Sequence, residues 1–313
     1  MDAAKKHTDV KLAVLDMATY FAVFYNLPIN MERLVNYLPV RANHLAVAEA
    51  VRELILEKKL QRIGDAYGLR GMRYVRVDSR GMAREALLKR ARRIGRLIGL
   101  LPFVQAVVVV NSVALGNVHD ESDIDFLIVT TPGRIFVAKG ILWKLSQWLR
   151  LLETEERKAG QISLGMFMTT RGVPVERDIM LVNDPHLIYW LLTAEPVYGR
   201  KIWSEILQAS PYVRTRTPNM VWPRGGKTID RIGFRWLDSW DDRGYRIHLK
   251  HTSQQAHNQQ PTSFVRIRPD IINLHAKSKT PGIAESYERL IKHPPYRTYQ
   301  KRTPRTASDT RDK

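Results

Sequence analysis

The amino-acid sequence predicts an α+β protein with a helical N-terminal module, a small mixed sheet flanked by helices, and a C-terminal helical region. Within the first 75 residues, three helical patterns precede a short hairpin pattern. Between residues 104 and 170, β-branched strand patterns surround an amphipathic helix. A length of 313 residues also exceeds what one compact core usually holds. These observations predict four segments, at residues 1–78, 79–215, 216–292 and 293–313, the last a basic disordered tail.

The charge balance is strongly basic, because 50 Lys and Arg against 31 Asp and Glu give a formal net charge of +19. Such a surface attracts polyanions such as nucleic acid, although charge also simply keeps a protein in solution. The absence of cysteine excludes disulfides and thiolate metal sites and suits a reducing compartment, so a cytoplasmic location is expected. The polar N-terminus predicts no signal peptide. Polar residues and Pro102 break the uncharged run from Leu97 to Val118, so no membrane span is expected.

The N-terminal module begins with helical apolar spacing from Val10 to Phe24. Asn30 and Asn43 are suited to cap the two helices that follow. Leu60–Ile63 and Tyr67–Leu69 then predict two strands around a turn. Three helices followed by a hairpin is the order of a winged helix. Between residues 43 and 59 three acids balance three bases, which favours packing or docking of a protein partner over reading of DNA.

Residues 79–99 predict a basic helix. Seven Arg and Lys residues face a single acid, Glu85, and apolar residues supply a stripe for packing. The bases are Arg80, Arg84, Lys89, Arg90, Arg92, Arg93 and Arg96, and the stripe is Met82, Ala86, Leu87, Ile94, Leu97 and Ile98. The basic face is either solvated or a surface that binds anions, and the pattern does not distinguish the two.

The remaining elements follow from periodicity and capping residues. Predicted strands are Val104–Val110, Ile124–Thr130, Gln161–Thr170 and Val175–Val182. A long helix opens at Pro132, with the stripe Ile135, Ala138, Ile141, Leu142, Leu145, Trp148, Leu149 and Leu152. Further helices are predicted from Pro185, capped by Asp184, and over Arg200–Ala209. Residues 211–225 predict a linker, and residues 228–292 predict weaker helices that include Ile283–Ile291.

Two carboxylates, Asp123 and Asp125, stand two residues apart at the start of the second strand. Alternate residues of a strand point to one face, about 7 Å apart at Cα, so the two charges repel each other. A bound divalent cation removes that repulsion, and Mg²⁺ typically combines one or two carboxylates with substrate phosphates. The spacing therefore indicates a metal site, although a carboxylate pair at a loop end is also common without one.

The residues before this pair extend the pattern. The first strand ends at Asn111-Ser112, small residues follow through Gly116, and ten residues separate Ser112 from Asp123. This arrangement resembles the nucleotidyltransferase motif of the DNA polymerase β-like superfamily. The wider chain resembles a prokaryotic group of that superfamily with an N-terminal winged-helix-like segment, over roughly residues 10–215.

The resemblance implies that Asp123 and Asp125 are catalytic and hold Mg²⁺ or Mn²⁺. It also implies that Asn111, Ser112 and Ser122 bind a nucleoside triphosphate, expected to be ATP. The implied activity is transfer of a nucleoside monophosphate to an acceptor hydroxyl. The acceptor would be a small molecule, a protein side chain or an RNA end.

The sequence departs from this family at two points. Asn111 stands where the family usually has glycine, and asparagine is the next most tolerant of a positive φ. The family also takes a third carboxylate from a later strand, but residues 161–168 contain no acid, which leaves Glu176 and Asp178 as candidates. The alternative function is therefore a catalytically impaired nucleotide-binding or regulatory module. It would bind nucleic acid, through the basic helix at 80–96 and the tail, or a protein partner.

Three further patterns are weaker. They are His248, His251 and His257, whose spacings match no common zinc site; Gly225-Gly226-Lys227-Thr228, which lacks the earlier glycine of a phosphate loop; and Trp236 with Trp240, which are predicted to lie in the core.

Overall fold

The computed structural model describes residues 3–74, 77–101, 103–151, 159–171, 185–222, 237–257 and 266–273. The chain divides into two compact units. Unit 1 contains the described residues up to 74, and unit 2 contains those from 77 to 273. Helices and sheets occur in both units, so the predicted α+β class is confirmed.

Unit 1 consists of three helices and a small antiparallel sheet. Its elements are α1 (Ala3–Tyr25), β1 (Ile29–Asn30), α2 (Met31–Tyr37), α3 (His44–Leu56), β2 (Leu60–Ile63) and β3 (Ala66–Leu69). The strand order is β1-β3-β2. Both predicted caps are confirmed, because the side chain of Asn30 accepts from the Arg33 N–H and that of Asn43 from the Ala46 N–H, each at 2.9 Å.

Unit 2 is built on a six-stranded mixed sheet in the order β7-β4-β5-β6-β9-β8. Its elements are α4 (Val77–Ile98), β4 (Val104–Val109), α5 (Asn111–Leu115), β5 (Ile124–Thr130), α6 (Ile135–Trp148), β6 (Ile162–Thr169), α7 (Pro185–Thr193), β7 (Glu195–Tyr198), α8 (Arg200–Ala209), α9 (Pro211–Arg216), α10 (Asp238–His257), β8 (Arg266–Arg268) and β9 (Ile271–Asn273). Strands β5 and β6 run parallel, and the other neighbouring pairs are antiparallel.

The central strands are buried on both faces. Phe126 and Ile128 of β5 join a core cluster with residues of α4 and α6, while the alternating Leu127 and Val129 are also buried and point to the opposite face. A strand covered on both sides needs apolar residues at every position. This requirement explains the unbroken apolar runs that made β4 and β5 predictable.

Two predicted helical stripes have the wrong extent. In α4, Met82 and Leu97 are 77% and 62% exposed, whereas Ile94 and Ile98 of the predicted stripe are buried together with Leu88 and Ala91, which the prediction did not include. Helix α4 packs closely on β7, since a Cβ at Gly95 would lie 2.5 Å from the Val197 side chain. In α6 the first half of the stripe is buried, but Ile141, Leu145, Trp148 and Leu149 are exposed.

The start of α6 also differs from the prediction. Pro132 lies in a turn rather than at the first helical position, because Gly133 adopts a left-handed conformation with φ +70°. The helix begins at Ile135, and the Asp241 carboxylate of α10 accepts hydrogen bonds from the backbone N–H groups of Phe136 and Val137 at 2.8 and 2.9 Å. A distant side chain therefore does the capping that a local residue was expected to do.

The region after α8 contains more regular structure than predicted. Pro211–Arg216 forms α9 instead of a linker, with the Ser210 hydroxyl accepting from the Val213 N–H. Strands β8 and β9 form a hairpin inside the region predicted to be helical, and β7 was not predicted. Trp240 is 63% exposed, so its predicted place in the core is wrong.

Several predictions lie outside the described residues. They concern the strand at 175–182, Glu176, Asp178, the cap Asp184, the glycine-rich run at 225–228, Trp236, the helix at 283–291 and the tail at 293–313. Among the helices that the structure describes, none combines the length and apolar character needed to cross a membrane.

Candidate functional site

Asn111 is the first residue of α5, directly after the end of β4 and next to the start of β5. Its φ of +57° lies in the left-handed region, which glycine adopts most readily and asparagine more readily than most other residues. Asparagine can therefore occupy a position where the family usually has glycine. The Val110 N–H donates to the Asp125 carbonyl at 3.0 Å, so the end of β4 is fixed beside the beginning of β5. The predicted residues Asn111 and Asp125 are therefore brought together.

The Asp125 carboxylate is the most perturbed acid of this site. Burial and the nearby charge of Asp123 raise its pKa to about 6, although hydrogen bonds from the Asn111 amide and the Ser163 hydroxyl oppose that rise. Asp123 itself precedes β5, which begins at Ile124, so only Asp125 of the pair is a strand residue. The negative charge of Asp125 is therefore disfavoured in the protein alone, and a bound cation would stabilise it.

Ser163 occupies the position beside Asp125 on the neighbouring strand. Strands β5 and β6 are parallel, and Asp125 pairs with Ser163 in register. Immediately afterwards the register shifts, with Leu127 pairing with Met166. Such irregularities of a strand re-aim side chains and are frequent next to active sites. Ser163 is 9% exposed and offers a hydroxyl, not a carboxylate, to the site.

The two predicted serines differ in their surroundings. The Ser122 hydroxyl, in a residue that is 8% exposed, accepts from the His119 N–H at 2.8 Å and closes the turn before Asp123. Ser112 is half-buried, and its hydroxyl makes no hydrogen bond within the part of the chain that the structure describes. The geometry therefore leaves Ser112 better placed than Ser122 to contact a ligand.

Trp190 of α7 is a member of the site that sequence reasoning missed. Its indole N–H donates to the Asn111 carbonyl oxygen at 2.8 Å, and Trp190 is 8% exposed. This bond fixes the orientation of the amide, whose NH₂ group then faces Asp125. The sequence carried one usable signal, since a buried tryptophan needs an acceptor, but the separation of 79 residues hid which one.

The carboxylates can be tested for their fit to a divalent cation. Asp123 and Asp125 supply two oxygen ligands whose mutual repulsion a cation would relieve, which suits Mg²⁺ held partly by substrate phosphates. Among the described residues, no three His, Asp or Glu side chains group closely enough to hold a metal by themselves. The residues therefore fit a cation that a phosphate ligand completes, and not a closed structural metal site.

The other sequence candidates lie elsewhere. His248 packs against Phe136 with ring centres 5.7 Å apart, and it belongs to the contact between α6 and α10. Arg84 of the basic helix donates to the carbonyl oxygens of Val113 and Ala114 at 2.8 and 3.3 Å, at the end of α5. One predicted base is thus used to hold α5, whereas Lys89, Arg90, Arg93 and Arg96 are exposed.

Comparison with known proteins adds nothing to this geometry, since no family model, curated protein or solved structure matches the chain.

Proposed function

We propose that unit 2 is a polymerase β-like nucleotidyltransferase domain that binds a divalent cation with a nucleoside triphosphate and transfers the nucleoside monophosphate to an acceptor hydroxyl. One observation carries the proposal. Asp125 is a partly buried carboxylate whose negative charge is disfavoured by burial and by Asp123, next to the left-handed turn at Asn111. Folding around a partly buried carboxylate beside a second acid is costly unless a ligand compensates for its charge.

The fold of unit 2 supports the same proposal. Strand β4 leads through Asn111 and the short helix α5 to the carboxylates, and β4 and β5 are neighbours in the sheet. The nucleotidyltransferase motif requires β4 and β5 to be neighbours, because the residues that follow the first strand and the carboxylates at the start of the next strand must lie at the same edge of the sheet. In unit 1, the order of three helices and a hairpin supports a winged-helix-like module.

The proposed reaction assigns a task to each residue. Mg²⁺ would supply a Lewis acid that neutralises phosphate charge when held by Asp123 and Asp125. The Ser112 hydroxyl would donate to a phosphate oxygen, and the Asn111 amide, which hydrogen-bonds to Asp125, would hold that carboxylate in position. The acceptor oxygen forms a bond to the α-phosphorus while the bond from that phosphorus to the bridging oxygen breaks, pyrophosphate leaves, and the hydroxyl proton must pass to a base.

Ser163 favours a second candidate function. The register places it beside Asp125, where a carboxylate on the neighbouring strand would complete a metal site or accept the proton of the acceptor. A neutral serine hydroxyl does neither effectively at neutral pH. The second candidate is a domain that binds the Mg²⁺–nucleotide complex and does not turn it over, so that binding has a regulatory role.

Transfer of label from α-phosphate-labelled ATP, with Mg²⁺ and a cell extract as the source of acceptors, tests the first candidate. Transfer by the wild type that is lost in Asp123→Ala and Asp125→Ala supports it, and Asp120→Ala, an exposed acid of the same loop, is the matched control. Absence of transfer with every nucleotide and metal overturns the transferase. A thermal shift with Mg²⁺–ATP then decides whether the binding candidate stands.

Ser163→Asp separates the two candidates further. If the site lacks only a third carboxylate, this variant should bind Mg²⁺ more tightly than the wild type and gain transfer activity. If the wild type is already active, the added charge beside Asp125 should disturb the site and reduce the rate. Calorimetric titration with Mg²⁺ and the transfer assay read out the two effects independently.

The partners that we propose follow from charge. The exposed bases of α4, which are Lys89, Arg90, Arg93 and Arg96, suit a polyanionic acceptor or partner such as nucleic acid.

In unit 1, Glu53 of α3 forms ion pairs with His7 and with Lys11 of α1, at 2.9 Å each, so this charge of α3 is already paired inside unit 1. We therefore propose that unit 1 docks a protein partner instead of reading DNA, and that the protein acts in the cytoplasm.

A further inference from the structure

A cavity lies at the opposite end of β5 from Asp123 and Asp125. It has a volume of about 260 Å³ and is bordered by the residues that follow β5 and β6, by α10 and by the turn between β8 and β9. Thr130 lies five positions after Asp125 along β5, which corresponds to about 17 Å. In sheets with parallel strands, ligands bind characteristically outside the carboxyl ends of those strands. This cavity occupies that position on the parallel pair β5 and β6.

One buried hydroxyl group that lacks a partner lines the cavity, and two more lie close behind it. Thr169, at the end of β6, lines the cavity and is 1% exposed, and its hydroxyl has no hydrogen-bond partner among the described residues. The hydroxyl groups of Thr130, which pairs with Thr169 in register, and of the adjacent Thr131 are also buried and lack a partner among the described residues, although neither residue lines the cavity. Buried hydroxyl groups are nearly always hydrogen-bonded, so a group of three that are not indicates a ligand or solvent at this place.

The charged groups around the cavity are mainly acidic. Asp241, Asp242 and Asp270 line it together with one base, Arg171. Asp241 is 6% exposed, and its carboxylate already holds the first backbone N–H groups of α6. Burial raises the pKa of Asp241, so its negative charge is incompletely compensated. Asp270 is paired with Arg268 at 3.4 Å, so Asp241 and Asp242 are the lining carboxylates left to attract a cation.

The walls distinguish an organic cation from a metal ion. The rings of Phe136 and Tyr245 line the cavity, with centres 5.4 Å apart, and they offer an alkyl chain an apolar surface but offer a metal ion no ligand. No group of three acids or histidines suited to a metal is found among the described residues, including those of this cavity. The volume is below that of pockets for drug-sized ligands, so the cation must be small.

We propose that this cavity binds the primary ammonium group of a small organic molecule, with the carboxylates of Asp241 and Asp242 and the Thr169 hydroxyl accepting its hydrogen bonds. An ammonium group carries three donors, which matches these three acceptors. Its alkyl part would lie against Phe136 and Tyr245. The site is independent of the proposed nucleotidyl transfer, since it shares no residue with it.

The test uses the full-length chain and three probes of equal size. We expect n-butylamine to bind saturably, in the millimolar range, in a saturation-transfer NMR titration at neutral pH. Butan-1-ol and butyrate, which lack the positive charge, should bind at least tenfold more weakly. Excess Mg²⁺ should not displace butylamine, because the site at Asp123 and Asp125 is a different one. Equal binding of the amine and the alcohol, no binding of the amine, or displacement by Mg²⁺ would overturn the proposal.

Two variants locate the binding. Thr169→Val removes the buried hydroxyl at nearly constant volume, and Asp242→Asn removes an exposed charge with little risk to folding. Each should weaken butylamine binding about five- to tenfold, whereas the matched control Asp120→Asn, an exposed acid before β5, should leave it unchanged. If Thr169→Val fails to fold by circular dichroism, Asp242→Asn decides alone. Unchanged affinity in the folded variants rules out this cavity as the binding site.

Discussion

Asp125→Asn is expected to stabilise the protein at neutral pH when divalent cations are absent. In the folded state the pKa of Asp125 is raised from its ordinary value of 3.8 to about 6. Between these two values the folded protein holds a proton that the unfolded chain has released, so the free energy of unfolding falls as the pH rises through this window. The loss is complete above about pH 6 and absent below about pH 4.

The magnitude follows from the same two values. A rise from 3.8 to about 6 corresponds to about 3 kcal/mol, and partial solvent access makes this an upper bound. Asparagine keeps the size of the side chain and removes the charge, so Asp125→Asn should gain up to about 3 kcal/mol at pH 7.5 and little at pH 4. In a unit of this size, the gain corresponds to an increase in Tm of up to about 10 °C.

Thermal and urea unfolding of the two proteins across this pH range measure the effect, with a chelator present. Asp120→Asn is the control, because it removes an exposed charge from the same loop and should show no such pH dependence. Adding Mg²⁺ should stabilise the wild type and leave Asp125→Asn unchanged, since the variant loses a ligand. A variant that is less stable than the wild type at pH 7.5 without cations would refute the reasoning on burial and repulsion.

Three further changes test other parts of the structure. Trp190→Phe removes the indole N–H that holds the Asn111 amide, so calorimetry should show Mg²⁺–ATP binding weakened about fivefold, the equivalent of one hydrogen bond of about 1 kcal/mol. Gly199→Ala should lower the free energy of unfolding by more than 3 kcal/mol or abolish folding, because its φ is +65° and its Cβ would lie 2.0 Å from a backbone oxygen. The matched change Gly64→Ala, with φ +60° and open space, should cost only about 1–2 kcal/mol in the same urea titration. Asn43→Ala should cost about 1 kcal/mol through loss of the cap of α3, measured in the same way, and an unchanged midpoint would contradict that role.

Local chemistry made much of the fold predictable. The Asn30 and Asn43 caps and the hairpin of unit 1 follow from interactions between residues close in the chain, and an unbroken apolar run marks the extent of β5. The strand β7 was not predictable in this way, because Glu195–Tyr198 is short, contains a proline and exists through pairing with β4. The burial of the outer half of α6 was predicted wrongly for a related reason. Periodicity identifies an apolar face but not how much of that face another element covers.

The sequence by itself determined which residues can carry charge and metal chemistry: Asp123, Asp125 and Ser112 at a fixed spacing, and the tolerance of Asn111 for a left-handed turn. Only the tertiary structure decided what surrounds them. Ser163 stands beside Asp125 because β6 pairs in parallel with β5, and Trp190 reaches Asn111 from an element 79 residues away. Strand pairing and burial are long-range properties. They set the pKa of Asp125 and the acidic cavity at the far end of the sheet, and no local pattern encodes either of them.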